Sequence, residues 1–215
     1  MKQDDLLALA RLRQGTKWPG FFSIGDFHDG AYDCDFVSPW SKSAHNTDCE
    51  VMLVAQDWAS SDHLNSSLKA EVANPGYDPH IETNINLHGL LERHLGLKFS
   101  ETHATNIFPF IKPGRMNAPI PANRYRQAGV EFLAPQIDIL RPKLVICLGL
   151  NAFNGATHAL SNFRPVRMAV ALENVVQVGI TKIIAVAHTG RLGTNNRGKE
   201  NVERDWERLE KYLKE

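Results

Sequence analysis

The stretch EVMLVAQD (50–57) decides the fold. Five apolar residues in a row, Val51 to Ala55, suit a strand buried on both faces, and the abrupt change to Gln56-Asp57 marks its end. Two more runs read the same way. KLVICLG (143–149) and KIIAVA (182–187) are short, apolar and bounded by turn-forming residues. ATNIF (104–108) has strand-compatible residues leading into the turn Lys112-Pro113-Gly114. Between and after these runs the spacing turns helical. Leu87, Leu90, Leu91 and His94 share a face over 84–95, and residues 122–140 carry Tyr125, Phe132, Leu133, Ile137 and Leu140 inward. Pro135 predicts a kink there or a helix that starts late in the segment. Val202, Trp206, Leu209 and Leu213 form one stripe over 199–214.

Strands that alternate with helices, each strand almost wholly apolar, predict an α/β fold. The expected form is a three-layer α/β/α arrangement with a central, mostly parallel four-stranded sheet. A short first helix is expected over 4–13. Residues 15–48 then run without a period and are rich in Gly, Asp, Ser and aromatic residues. An aperiodic segment of that length is uncommon unless it wraps the core or serves function. Trp18, Phe21, Phe22, Phe27, Tyr32, Phe36 and Trp40 are read as its anchors. The expected organisation is one domain over 1–215, with 1–49 as N-terminal helix and wrap and 50–215 as the α/β core.

Composition narrows the function. Lys and Arg together number 24, as do Asp and Glu, so the net charge is zero. That excludes coating nucleic acid through bulk charge but allows local basic loops. Cys34, Cys49 and Cys147 are odd in number and contain no CxxC pair, which argues against a disulfide framework and for a reducing compartment. MKQDDLLALARLRQG (1–15) reads as neither a signal peptide nor a membrane span. The expectation is a cytoplasmic monomer with no membrane partner.

In open α/β sheets, ligands bind at the carboxyl ends of the strands. Gln56 and Asp57 follow the first strand, Asn106 lies in the second, Gly149 follows the third and His188-Thr189-Gly190 follow the last. A carboxylate, an amide and a histidine are thus expected on one rim.

These residues also resemble a known family. VMLVAQDWA (51–59) is similar to the first motif of the uracil-DNA glycosylase superfamily, with Ala55, Gln56 and Asp57 in its first three places. TNIFPFIKPG (105–114), a helix, and RPKLVICLG (141–149) follow the pattern of its thermostable bacterial branch. HTGRLG (188–193) takes the place of the second motif, matching at His188 and Leu192. The resemblance implies a DNA base-excision enzyme acting on uracil or another deaminated base. Such an enzyme flips the nucleotide out of the stack and reads its Watson–Crick edge. By the resemblance, Asn106 reads the base, Gln56 contacts it through backbone, and Asp57 positions water and counters the cationic sugar. His188 donates to the departing base, and Leu192 wedges into the vacated stack.

Departures from the pattern are informative. Trp58-Ala59 replaces Pro-Tyr, so the Tyr that excludes the thymine methyl is absent and Trp58 is left to stack on the base or shape its pocket. Thr189-Gly190 replaces Pro-Ser, and Thr83 or Asn84 falls where a stacking Phe would stand. The branch's iron–sulfur cysteines have no counterpart, so no cluster and no other cofactor is expected. Lys112, Arg115, Arg124, Arg126, Arg191, Arg197 and Lys199 fall in loops expected to ring the site. Among them Lys112, Arg115, Arg191 and Arg197, with Asn195, suit backbone-phosphate contacts.

Two other readings compete. A non-catalytic relative could keep the pocket to bind a nucleotide or DNA. IGDFHDG (24–30) has the Gly-Asp-x-His of metal phosphoesterases, which would use His28, Asp29, Asp33 and Asp35. No Gly-Asn-His follows, so an exposed turn is expected and no metal. SPWSKSA (38–44) has no mechanism legible in the sequence beyond a position that could border the pocket.

Overall fold

The structure, a computed structural model, describes residues 1–214. Helix α1 (Lys2–Gly15) buries Leu6, Ala10 and Arg13. The Arg13 guanidinium is wholly enclosed. It donates to Asp33 Oδ1 at 2.5 Å and to the carbonyls of Cys34 and Phe36 at 2.9 and 2.8 Å. A buried cation is tolerable only when paired and hydrogen-bonded in this way, and here the pairing straps the aperiodic segment to α1. That segment makes short 3₁₀ turns at Ile24–Asp26, His28–Gly30 and Pro39–Lys42. Trp18, Phe27, Tyr32 and Trp40 are buried along it, as the anchoring reading expects, whereas Phe21 and Phe36 are partly buried and Phe22 is exposed.

The sheet contains β1 (Val51–Asp57), β2 (His103–Phe108), β3 (Leu144–Leu148), β4 (Val175–Val178) and β5 (Thr181–Val186), in the order β2-β1-β3-β5-β4. Pairing is parallel except between β4 and β5. The sheet therefore has five strands, not the expected four. VVQV is short and leaves Val175 and Gln177 exposed, an edge strand too brief to stand out in the sequence. It joins β5 through the two-residue turn Gly179-Ile180, where Gly179 supplies φ +58°.

Helices α2 (Ser61–Leu64), α3 (Ala70–Ala73) and α4 (Glu82–Leu95) lie between β1 and β2. Between β2 and β3, α5 (Ala122–Ala128) and α6 (Ala134–Leu140) flank a π-helical turn, Gly129–Leu133. The kink expected at Pro135 is thus a π turn. Ala134 N–H reaches back to the Gly129 carbonyl, and Pro135 falls in the first turn of α6, where its missing donor costs least. Helix α7 (Leu150–Ser161) follows β3, its mixed Asn, Gly, Thr and His content hiding it from periodicity. After α8 (Met168–Glu173) and β5 come α9 (Arg191–Arg197), α10 (Lys199–Glu207) and α11 (Glu210–Lys214). The single terminal helix expected over 199–214 is broken after Glu207, although Val202, Trp206 and Leu209 are buried as predicted.

Successive strand residues feed two separate cores, as the period of two requires. Met52, Val54, Val145, Cys147, Ile183 and Ala185 join the core of α1 and α5 to α7. Leu53, Ala55, Ile146, Leu148, Ile184 and Val186 join that of α4 and α10. No helix among the described residues is long and apolar enough to cross a membrane.

Candidate functional site

Four parallel strands bring their carboxyl ends to one rim. The sheet grows from β1 toward β2 on one side and toward β3 on the other, which opens a crevice at that rim. A cavity of about 250 Å³ lies there, walled by Ala55, Asp57, Trp58 and Ala59 from the end of β1 and by His188 beyond β5. That volume falls below the roughly 300–1,000 Å³ of sites for drug-sized ligands. It suits a single ring system. Tyr32 and Trp40 from the N-terminal wrap, and Tyr77, also line it. Thr83 and Asn84 also line it but carry no ring. Trp58 is fixed by donating its indole N–H to the Gly76 carbonyl at 2.8 Å and meets Tyr32 edge-on at 5.4 Å.

Asp57 is held on both oxygens. Gln56 Nε2 donates to Oδ1 at 2.7 Å, and Gln56 is itself held by Asn151 Nδ2 at 2.8 Å. Lys112 Nζ stands 2.7 Å from Oδ2, with side-chain exposures of only 2% for the lysine and 4% for the aspartate. The approach to Oδ2 is not aligned as a hydrogen bond, so this contact is chiefly ionic. Lys112 also donates to the Met116 carbonyl. Tyr125 borders the same network. Burial raises its phenol above the usual range and the Asp57 charge adds to that, against a hydrogen bond with Asn151.

His188 is set differently. Its Nδ1 accepts the Gly190 N–H at 3.0 Å. A backbone N–H can only donate, so Nδ1 carries no proton and the neutral ring bears its proton on Nε2. Burial lowers the pKa of this histidine, partly opposed by the charge of Asp57. Its loop is tied to α4: Thr189 Oγ1 donates to the Thr83 carbonyl and Asn86 Nδ2 to the Thr189 carbonyl, both at 2.8 Å. Gly193 belongs to the same construction, since a Cβ there would sit 2.1 Å from the His188 carbonyl oxygen. A second cavity, about 440 Å³, shares His188 and runs under α8 and α9 past Gly149 and Arg197.

Asn106 is the register partner of Ala55 and is 2% exposed. Its Oδ1 accepts from Ser38 Oγ at 2.5 Å, while its Nδ2 is buried without a partner.

No family model matches this chain, and no curated protein matches it. The function has to be argued from the site.

Of the residues singled out by sequence, the fold unites Asp57, Trp58 and His188 around one cavity, with Gln56 bracing Asp57. Asn106 sits behind the cavity wall rather than on its surface. Two of the expected phosphate contacts are otherwise engaged. Lys112 is buried against Asp57, and Arg197 is locked to Asp205 by two bonds of 2.7 and 2.8 Å. Arg115, Arg191 and Asn195 are exposed, and Leu192 is 76% exposed. The N-terminal acidic residues do not converge. Asp33 answers Arg13, Asp35 answers Arg11, and His28 Nε2 bonds the Leu64 carbonyl at 2.6 Å. Among the described residues, no group of three or more His, Cys, Asp or Glu side chains is arranged to hold a metal ion.

Proposed function

We propose that this protein excises a deaminated base, uracil first among the candidates, from DNA by hydrolysing its N-glycosidic bond. The observation that carries this reading is the neutral His188 on the cavity wall, whose Nδ1 is committed and whose remaining donor is Nε2–H. A departing base gathers negative charge on its carbonyl oxygens, and a fixed neutral donor stabilises that charge without first giving up a proton. Asp57 lines the same cavity and serves to orient the attacking water. The aromatic side chains Trp58, Tyr32, Trp40 and Tyr77 that line the cavity supply apolar area and stacking candidates for a flipped base.

Exposed Leu192 is the wedge for the vacated stack, with Arg115, Arg191 and Asn195 toward phosphate. This reading takes the fold as the three-layer α/β/α arrangement of the uracil-DNA glycosylase superfamily. The protein would act as a cytoplasmic monomer on DNA, with no metal or cofactor assigned a step.

A second reading, a pocket that binds a base without hydrolysis, is favoured by one observation. Lys112 at 2.7 Å offsets the charge with which Asp57 would counter a cationic sugar. Single-turnover incubation with uracil-containing single- and double-stranded oligonucleotides separates the two. The first reading expects free base from the wild type and its loss in Asp57→Asn and His188→Ala. Binding without release across a panel of deaminated bases supports the second. Release that survives both substitutions contradicts the roles given to Asp57 and His188.

A further inference from the structure

Lys112 is a cation turned inward beside the cavity. Its side chain is 2% exposed, and Nζ stands 2.7 Å from Asp57 Oδ2 while donating to the Met116 carbonyl. Lys112 does not itself line the cavity, whereas Asp57 and Met116 both do. The backbone beneath it is pinned to the start of α2. The Lys112 carbonyl accepts the Ser61 N–H at 2.9 Å, the Gly114 carbonyl accepts the Asp62 N–H at 3.1 Å, and Ser61 Oγ accepts the Gly114 N–H at 2.8 Å.

Stability alone does not account for an inward lysine here. A buried ion pair often holds a fold no better than apolar residues of the same volume, because both charges have left water. What this pair supplies is geometry. Asp57 Oδ2 is buried against the ammonium. Oδ1 accepts from Gln56 Nε2 at 2.7 Å, and a carboxylate oxygen has a further lone pair to offer. Of the two oxygens, Oδ1 is therefore the one with an acceptor position left for a molecule in the cavity that Asp57 lines. The same ammonium holds the carbonyl of Met116, a residue 47% exposed on the wall of that cavity.

We propose that Lys112 is a positioning residue. It draws Asp57 Oδ2 away from the cavity and leaves Oδ1 as the single oxygen that holds the attacking water. The proposal rests on the base-excision reading above. A carboxylate free to turn would offer the water two oxygens and two directions, and a misplacement of about 1 Å can cost about a hundredfold in rate. Simple neutralisation predicts the opposite sign. If Lys112 only offset the charge of Asp57, removing it would free that charge to counter the cationic sugar and would speed release.

The test is single-turnover release from a uracil-containing single-stranded oligonucleotide by wild type and Lys112→Met, with the saturating rate and the half-saturating protein concentration measured separately. Lys112→Met should release base about a hundredfold more slowly at saturation, with half-saturation within about threefold of wild type. A wild-type crystal structure with uracil soaked in needs no variant. There Asp57 should keep Oδ2 on Lys112 and present Oδ1 to the uracil or to a water beside it. A folded Lys112→Met that releases base as fast as wild type, or faster, overturns the proposal. So does a wild-type carboxylate that presents Oδ2 to the cavity. A wild type that releases no base removes the base-excision reading, and this proposal with it.

Discussion

The polar groups around Asp57 form a closed set, committed to one another, whereas His188, beyond β5, and Asn106, on β2, each keep one donor without a partner. Asp57 has Gln56 on one oxygen and Lys112 against the other, and Asn151 holds Gln56. His188 and Asn106 are each gripped at one atom only, by Gly190 and by Ser38. Their second polar atoms, Nε2 and Nδ2, are both donors. The closed set fixes an anion in place, and of the two open donors only that of His188 belongs to a residue on the cavity wall.

Breaking the closed set should have the larger effect on stability. Lys112→Met leaves a carboxylate buried without its counter-charge, an error that costs about 3–5 kcal/mol. Adding Asp57→Leu should recover most of the loss, since a buried pair replaced by apolar residues is often close to neutral. Chemical denaturation of the single and double variants reads both numbers. A cost under about 1 kcal/mol for Lys112→Met, the range of exposed pairs, would mean that the pair is not closed to water as described.

The Asn106 position should respond less. Asn106→Leu removes an unsatisfied donor but leaves the fully buried Ser38 hydroxyl without its acceptor, so it should cost about 1–3 kcal/mol. Chemical denaturation reads this cost, and a loss as large as that of Lys112→Met would contradict the description of Asn106 as held through one atom only.

Much of this was legible in the sequence, for local reasons. Apolar runs such as Val51–Ala55 announce buried strands, and the polar residues that follow them announce the rim. Asp57 and His188 are readable because strand, end and chemistry lie within a few residues of each other. Where meaning depends on a distant partner, local reading fails. Lys112 in a Lys-Pro-Gly turn looks like a surface cation, and only the pairing of β1 with β2 brings Asp57 to it. Arg197 looks the same, and its partner Asp205 lies in the next helix, α10. Tyr32 and Trp40 read as anchors, and they are, but nothing local says that their rings also line the cavity. The hydrogen bond of Ser38 was invisible for the same reason: its partner lies in β2, far along the chain.

The central claim is that His188 is a neutral donor through Nε2, and ¹⁵N NMR of histidine-labelled protein measures that directly. Burial lowers its pKa from the ordinary 6.5, so it should be neutral at pH 7 and take a proton only below 6.5. Because the unfolded chain binds that proton first, the associated stability is complete above pH 6.5 and is lost as pH falls toward the folded value. Asp57→Asn should lower the folded value further, since the aspartate charge works to raise it. The expected spectrum at pH 7, with or without uracil, is the Nε2–H tautomer of a neutral ring. An imidazolium at that pH, or a proton on Nδ1, would contradict the account.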